Sequence, residues 1–191
     1  MARLDQREDM MDLARRALAH CINHTTDMTE SIMTMPIEAY TDETRYRAER
    51  NRIFSSLPIA GALSIELPSP GNYKTISILE KPLLLVRGDD GKARAFLNVC
   101  RHRGARICEA EEGVVKKFSC PYHSWVYDLQ GNLTSRYAAG TFGDLDHSSL
   151  GLTPIGCEED AGIIWLTLDS SAPIDIKAWL GGMRAKLGSL D

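Results

Sequence analysis

The sequence lacks any long hydrophobic run, and this absence excludes a membrane-spanning helix. No stretch of the 191 residues approaches the roughly eighteen consecutive apolar residues that such a helix needs. Residues 1–18 are dense in charged side chains and contain no apolar core of the kind found in a signal peptide. We therefore expect no membrane association and a cytoplasmic location.

Clustered positive charge is also missing. Lys and Arg total 22 against 26 Asp and Glu, which gives a formal net charge of −4, and no basic run stands out. Because nucleic-acid binding needs a basic patch or stripe, we expect no nucleic-acid partner. The five cysteines are odd in number and widely spread, which favours metal ligation or buried thiols over a disulfide framework. Cys21, Cys108 and Cys157 are predicted to be small buried hydrophobic residues.

The first third of the chain reads as helical and polar. Apolar residues recur at helical spacing over residues 4–22 and predict an amphipathic helix with a charged outer face. A polar linker follows over residues 23–34, and a second short helix is predicted from Thr41 or Asp42 through Ile53. We divide the chain into residues 1–35, a helix and linker, and residues 36–191, the main domain.

From about Gly61 the pattern changes to short strands separated by turns. With no helical pattern between these strands, the chain is expected to be mainly β, an antiparallel sandwich or barrel. A closing helix is predicted over Ile174–Leu187, weakened by Gly181 and Gly182. The predicted strands are Tyr73–Leu79, Leu83–Arg87, Arg94–Val99, Val114–Phe118, Trp125–Leu129, Thr153–Glu158 and Ile163–Leu168.

Two short motifs carry the chemistry. Cys100 and His102 follow one predicted strand, and Cys120 and His123 follow another, so both pairs lie on loops at strand ends. Two such loops side by side can present two thiolates and two imidazoles to one inorganic centre. A zinc ion is one occupant, since two Cys and two His are a common zinc set.

The order of these residues favours an iron–sulfur cluster over zinc. Zinc-finger spacing groups the two cysteines in one pair and the two histidines in the other, whereas each pair here is mixed. Mixed pairs suit a [2Fe–2S] cluster with two thiolates on one iron and two imidazoles on the other, as in Rieske centres. Neutral imidazoles in place of anionic thiolates make reduction easier.

At this point the sequence resembles the Rieske domain of aromatic-ring-hydroxylating oxygenase α subunits, over roughly residues 36–190. Beyond the cluster motifs, the resemblance is carried by residues 40–54, 67–71, 90–91, 95–100 and 162–165. It implies a Rieske-type antiparallel β-sandwich with cluster-binding loops, preceded by helices and closed by a helix. It also implies that Cys100, His102, Cys120 and His123 hold the cluster. Arg103, Tyr122 and Trp125 would flank it.

The motif distinguishes subtypes and shows one departure. High-potential Rieske proteins resemble this sequence but carry an extra cysteine in each cluster loop, and here Ala105 and the pair Pro121-Tyr122 stand at those places. The sequence therefore resembles the lower-potential oxygenase class. Ser124 stands where that family usually has Gly, so the second loop is expected to be less free in its backbone angles.

The resemblance implies a role in oxygenase electron transfer. Electrons would come from a ferredoxin or reductase and pass to a mononuclear non-haem iron on a catalytic domain or another subunit, in a family that forms homotrimers and includes enzymes of aromatic hydrocarbon catabolism. That iron is held by two His and a carboxylate. No histidine follows His147. We therefore expect the Fe(II) site to lie in a missing domain and this chain not to hydroxylate by itself.

Two other functions stay open at the level of sequence. One is a stand-alone Rieske electron carrier or redox-sensing module, for which residues 1–60 would be surplus. The other is a zinc-stabilised binding domain without redox activity. His20 and His24 are predicted to be surface histidines, and Asp144, Asp146 and His147 to lie in an exposed loop.

Overall fold

The computed structural model describes residues 2–137, 139–142, 146–169 and 175–188. The chain divides into two compact units, Met1–Asp42 and Glu43–Asp191. No helix in the described ranges is both long and apolar enough to cross a membrane. The division at residues 35 and 36 that the sequence suggested stays a prediction.

The first unit contains two helices, α1 (Ala2–Asn23) and α2 (Glu38–Thr41). The predicted N-terminal helix is therefore present, but its apolar residues Leu13 and Leu18 are exposed. Cys21 is exposed as well, so its prediction as a buried residue was wrong. Among the residues of α1 whose burial is described (7–23), none is buried, whereas the prediction treated Cys21 as part of a buried face.

The second unit opens with helix α3 (Glu43–Glu49) and a π-helical turn (Arg50–Phe54), where one short helix was predicted. A seven-stranded antiparallel sheet follows, in the order β1-β10-β9-β4-β3-β2-β5. A separate three-stranded sheet has the order β6-β7-β8. The strands are β1 (Ile59–Leu63), β2 (Asn72–Ile78), β3 (Lys81–Arg87), β4 (Ala93–Leu97), β5 (Glu112–Val114), β6 (Phe118–Ser119), β7 (Val126–Tyr127), β8 (Leu133–Ser135), β9 (Pro154–Asp160) and β10 (Ile163–Thr167).

Strand β3 is an inner strand of the large sheet, between β4 and β2, and is buried on both faces. Successive side chains of a strand point to opposite sides. Leu83 and Leu85 accordingly belong to one hydrophobic cluster, and Leu84 and Val86 belong to another. A strand with two buried faces needs a continuous apolar run, which this segment has. The cluster containing Leu84 and Val86 is also the one that lies under the two cysteine–histidine loops.

The small sheet differs most from prediction. The predicted strand Val114–Phe118 is two strands, because β5 pairs with β2 while β6 pairs with β7. Strands β1 and β8 were not predicted. The turn at residues 130–132 is present, and Gly131 is required there. Its φ is 86°, and a Cβ at this position would come within 2.4 Å of the Phe96 ring.

The C-terminal segment forms two short helices, α4 (Ile176–Leu180) and α5 (Met183–Leu187), instead of one. The break falls at Gly181, whose φ is 49°. Asp175 caps α4, since its carboxylate accepts a hydrogen bond from the amide of Ala178 at 2.9 Å. Ile174, where the closing helix was predicted to begin, lies outside the described residues.

Candidate iron–sulfur site

The two loops that carry the predicted ligands have the same backbone geometry. In the first loop the amide of Cys100 donates to the carbonyl of Ala105 at 2.8 Å, and the amide of Gly104 donates to that of Cys100 at 3.0 Å. In the second loop the amide of Cys120 donates to the carbonyl of Trp125 at 2.8 Å, and the amide of Ser124 to that of Cys120 at 3.0 Å. The loops are therefore structural equivalents despite the different spacing of their histidines.

The shared turn requires a left-handed residue four positions after each cysteine. Gly104 has a φ of 73° and Ser124 a φ of 53°. Glycine adopts this region without penalty, whereas a residue with a side chain pays for the close approach of its Cβ. The second loop therefore adopts the same turn although it carries serine. Ser124 takes up the left-handed conformation at a cost in free energy that glycine would avoid.

The two thiols form the inner part of the site. Cys100 and Cys120 are each 2% exposed. Burial raises the pKa of Cys100, an effect that Tyr127 opposes and that Cys120, close by, reinforces. The two cysteines, which come from different motifs, are therefore neighbours in space. A thiol with a raised pKa binds metal as thiolate only if positive charge compensates it, and bound iron supplies that charge.

The two imidazoles form the outer part of the site and also face each other. The ring centroids of His102 and His123 are 4.7 Å apart, and both residues are half-buried. Desolvation, His123 and Arg103 lower the pKa of His102. A lower pKa keeps the ring neutral near pH 7, and the neutral ring is the form that binds metal.

Two of the predicted flanking residues pack on these imidazoles. Trp125 is buried and stacks on His102, with ring centroids 5.0 Å apart and planes 7° apart. Tyr122 is exposed and lies against His123, at a centroid distance of 3.8 Å. Arg103 is exposed on the first loop and acts on His102 through its charge. The aromatic contacts limit the orientations that the two rings can adopt.

The chemistry of the donor set fits a [2Fe–2S] cluster. Nδ1 of His123 is buried and, among the described residues, has no hydrogen-bond partner, which is costly unless a metal takes that lone pair. In the sequence each cysteine is followed closely by a histidine, but in the structure the two cysteines lie together and the two histidines lie together. This is the arrangement that a Rieske cluster requires.

The zinc alternative requires four ligands on one ion. In the described ranges, no group of three or more His, Cys, Asp and Glu side chains is placed to hold one metal ion.

Two supporting residues were missed by sequence reasoning. The hydroxyl of Tyr127, which is fully buried, lies 3.3 Å from Sγ of Cys100 and accepts a hydrogen bond from the amide of Arg101 at 3.2 Å. Burial raises the pKa of Tyr127, so this group stays protonated and able to donate to the sulfur. Its position two residues after Trp125, on the same face of the predicted strand Trp125–Leu129, was the available signal.

Asn98 is the second missed residue and is 1% exposed. Its side-chain oxygen accepts from the amides of Ile107 and Cys108 at 3.1 and 3.0 Å, and its nitrogen donates to the Cys108 carbonyl at 2.7 Å. These three bonds tie the end of the first loop to its beginning. An amide-bearing residue in an otherwise apolar strand end was the available signal.

The other titratable groups considered in the sequence are not at this site. Both ring nitrogens of His20 lie 2.9 Å from oxygens of Thr25 and Asp27, so that histidine is not set up as a metal ligand. Asp146 is exposed, and Asp144 lies outside the described residues.

Comparison with known proteins agrees with the geometry. The family model of the Rieske [2Fe–2S] domain matches residues 59–143. The chain is 36% identical over 169 residues to the glycine betaine monooxygenase oxygenase subunit of Pseudomonas aeruginosa, covering 86% of this chain and 37% of that protein. It is 38% identical over 143 residues to the biphenyl 2,3-dioxygenase subunit alpha of Rhodococcus jostii, covering 74% and 31%.

Solved structures give the same result. A quaternary ammonium Rieske monooxygenase, studied for carnitine oxidation and inter-subunit electron transfer, matches with a TM-score of 0.75 and 29% identity over 82% of this chain and 42% of that one. Naphthalene 1,2-dioxygenase from Rhodococcus sp. matches with a TM-score of 0.69 and 29% identity over 77% and 36%. The chain spans between 31% and 41% of the length of the curated relatives it matches.

Proposed function

This chain carries a Rieske [2Fe–2S] domain whose relatives are Rieske oxygenase alpha subunits, and we propose that it transfers electrons within such an oxygenase. The observation that carries the proposal is the spatial pairing of Cys100 with Cys120 and of His102 with His123. A bound [2Fe–2S] cluster takes up and releases one electron. Cys100, His102, Cys120 and His123 would hold it, with the two cysteines buried and the two histidines nearer the surface.

The two cysteines and the two histidines of the site have different environments. The cysteines are buried beneath the loops, while the histidines are half-buried at the outer edge. Imidazole binds iron through one nitrogen and leaves the other available for a hydrogen bond to a partner. We therefore assign electron entry and exit to the edge formed by His102 and His123, with a ferredoxin or reductase as donor and a mononuclear iron on a catalytic domain or neighbouring subunit as acceptor. We also propose that this oxygenase forms the homotrimer that the family resemblance implies.

The test is spectroscopic and uses the full chain loaded with iron and sulfide. The dithionite-reduced protein should give an EPR signal of low average g value, characteristic of mixed Cys and His ligation. His102→Cys should lower the reduction potential, because a thiolate adds negative charge to the cluster. His24→Cys, a histidine outside the loops, should leave the potential unchanged. Stoichiometric zinc with no such EPR signal would favour the zinc-binding domain instead.

The relatives divide between two substrate classes. Glycine betaine and carnitine monooxygenases stand beside biphenyl, chlorobenzene and benzene dioxygenases. The aromatic substrate that the sequence suggested is thus one of two substrate classes among the relatives. Electron transfer by the Rieske domain is the function that enzymes of both classes share. The similarity covers 86% and 73% of this chain for the two glycine betaine enzymes and 74% for the biphenyl enzyme, so coverage does not separate the two substrate classes.

A stand-alone electron carrier is the second candidate. It would show the same EPR signal, so a different measurement separates the two. The oxygenase component should pass its electron to a mononuclear non-haem iron protein of this family faster than to dioxygen or cytochrome c. A carrier with no preference for such a partner would contradict the oxygenase role.

A further inference from the structure

Helix α1 (Ala2–Asn23) carries apolar side chains that no described part of the chain covers. None of residues 7–23 is buried, and Met11 and Leu18 are 47% and 61% exposed. Helices in proteins owe most of their stability to an apolar face packed against another element. Within the described ranges, α1 lacks the contact that ordinarily stabilises a helix of its length.

The exposed apolar residues follow a seven-residue repeat. Met11 and Leu18 are seven residues apart, and Ala14 and Cys21, each three positions later, repeat at the same interval. On a helix these four residues form one narrow row, which we call the apolar stripe. A narrow stripe with this repeat is the pattern of a helix that pairs with another helix in a coiled coil.

The opposite side of α1 is occupied by the segment that follows it. Arg16 pairs with Asp27 at 3.1 Å, and the ring nitrogens of His20 lie 2.9 Å from oxygens of Thr25 and Asp27. The helical repeat places Arg16 and His20 on the side away from the apolar stripe. The chain after α1 therefore returns along the polar side and leaves the stripe accessible.

Two charged residues flank the apolar stripe on one side. Glu8 and Arg15 are exposed, seven residues apart, and line the same surface groove as Met11. Among the described residues, Glu8 has no ion-pair partner, and Arg15 is paired with the exposed Asp12 at 2.8 Å. An ion pair this exposed contributes little, so Arg15 can exchange it for another carboxylate.

We propose that α1 is a self-association helix, whose apolar stripe packs against the stripe of a second copy of this chain in antiparallel orientation. About a two-fold axis, Met11 of each copy then lies opposite Ala14 of the other. Leu18 lies opposite Arg7 in the same register. The small side chain of Ala14 lets the two helices approach closely. The aliphatic part of Arg7 can cover Leu18 while its guanidinium reaches solvent.

Charge favours a second copy and fixes the orientation. The antiparallel pair brings each Glu8 beside Arg15 of the other copy, so one self-complementary surface forms two ion pairs. A parallel pair in register would instead place the two Arg7 side chains opposite each other, and like charges would oppose that contact. Parallel pairing would also leave Glu8 far from Arg15 of the other copy.

A lipid surface is a poorer occupant of the apolar stripe. A helix that lies on a membrane needs a broad apolar face and, on an anionic bilayer, an excess of Lys and Arg on its polar face. Residues 2–23 contain equal numbers of basic and acidic side chains, and no Lys. The narrow stripe and the balanced charge both fit a partner helix better.

The proposed contact is separate from the homotrimer proposed above. It uses α1 alone and none of the residues of the cysteine–histidine loops. A closed two-fold contact doubles the number of copies, whether the rest of the chain is monomeric or trimeric. Loss of the contact should therefore halve the molecular mass in either case.

The first experiment measures the mass of the iron–sulfur-loaded full chain by light scattering. Leu18→Asp, in the apolar stripe, is compared with Leu13→Asp, which adds the same charge to the same helix at an exposed leucine outside the stripe. We expect about half the parent mass for Leu18→Asp and the parent mass for Leu13→Asp. Equal masses for the parent and both variants would overturn the proposal, as would binding to phosphatidylglycerol vesicles that only Leu18→Asp abolishes while the mass stays unchanged.

A charge exchange tests the ion pairs without altering the stripe. Glu8→Arg and Arg15→Glu each bring like charges together, and each should weaken the Kd of self-association by about tenfold in sedimentation equilibrium. The double variant re-forms both pairs with reversed sign and should recover to within about threefold of the parent. A double variant as weak as the single variants would contradict the antiparallel register.

Cross-linking tests the orientation directly. Chains with Arg7→Cys and chains with Leu18→Cys, both also carrying Cys21→Ser, are mixed and treated with a short bismaleimide. The mixture should give a cross-linked dimer that neither chain gives alone, and that a mixture with Leu13→Cys in place of Leu18→Cys does not give. Cross-linking of the parent through Cys21 would show parallel pairing and overturn the assignment. The Rieske EPR signal should be the same in all these variants, so failure of this inference is distinct from failure of the proposed function.

Discussion

The hydroxyl of Tyr127 lies 3.3 Å from Sγ of Cys100, and both groups are buried beneath the two loops. The tyrosine also accepts a hydrogen bond from the amide of Arg101. When Cys100 is a thiolate it carries no proton, so the tyrosine hydroxyl is then the donor to the sulfur. Hydrogen bonds to cluster sulfurs are among the factors that set the potential of an iron–sulfur protein. This contact is therefore expected to tune the electron affinity of the site.

Tyr127→Phe should lower the reduction potential. The hydrogen bond stabilises the reduced, more negative cluster more than the oxidised one. If the difference is about 1 kcal/mol, the potential of a one-electron couple falls by about 40 mV. Redox titration followed by visible absorption or EPR measures it. Tyr137→Phe, at an exposed tyrosine, is the matched control, and an equal potential in both variants would contradict the prediction.

Substitutions at Gly104 and Ser124 should change the stability of the fold in opposite directions. At Gly104 an added Cβ meets no atom within 4 Å, so the positive φ alone determines the cost of a side chain. Gly104→Ser should destabilise the fold by about 1 kcal/mol, and Ser124→Gly should stabilise it by up to about 1 kcal/mol. Urea unfolding of both variants tests the pair. Changes of the same sign would show that the left-handed turn is not what governs stability here.

Asn98→Ala should be strongly destabilising, because it leaves the amides of Ile107 and Cys108 buried or half-buried without their acceptor. The expected loss is about 2–4 kcal/mol in the free energy of unfolding. Retention of iron on gel filtration should fall with it, since the end of the first loop is released. The exposed Asn51, changed to Ala, should alter neither quantity, and an Asn98 variant that matched it would refute the anchoring role.

Glu159 should contribute stability only above acidic pH. Its carboxylate pairs with Arg87, which is 7% exposed, and this hydrogen-bonded pair lowers the pKa of Glu159 below 4.5. The stability it contributes is therefore fully present above about pH 4.5, its ordinary pKa, and is lost as the pH falls through the lower folded-state pKa.

The variant Glu159→Gln makes this measurable. Its Tm should lie below that of the parent at pH 7, because Arg87 is left buried without a counter-charge. The difference should shrink as the pH is lowered below about 4. Glu112→Gln, at an exposed carboxylate, should show no such trend. A Tm difference that stayed constant from pH 7 to pH 3 would exclude the role assigned to the pair.

The sequence by itself determined the ligand candidates and the class of fold. The mixed spacing of Cys100 with His102 and Cys120 with His123 is a local pattern, and the alternation and turns of the central strands are local as well. Both could be read without knowing which segments meet. The long helix α1 and most strands of the large sheet follow from the same local signals.

Tertiary structure decided what depends on which segments meet. The predicted strand Val114–Phe118 splits because its two ends pair with strands of different sheets. The prediction that Cys21 is buried was wrong, because helical periodicity indicates an apolar face without indicating whether another element covers it. The roles of Asn98 and Tyr127, and the pairing of cysteine with cysteine and histidine with histidine, arise only when two loops far apart in sequence are brought together over one core. Local sequence cannot specify such contacts, since each depends on the placement of both partners.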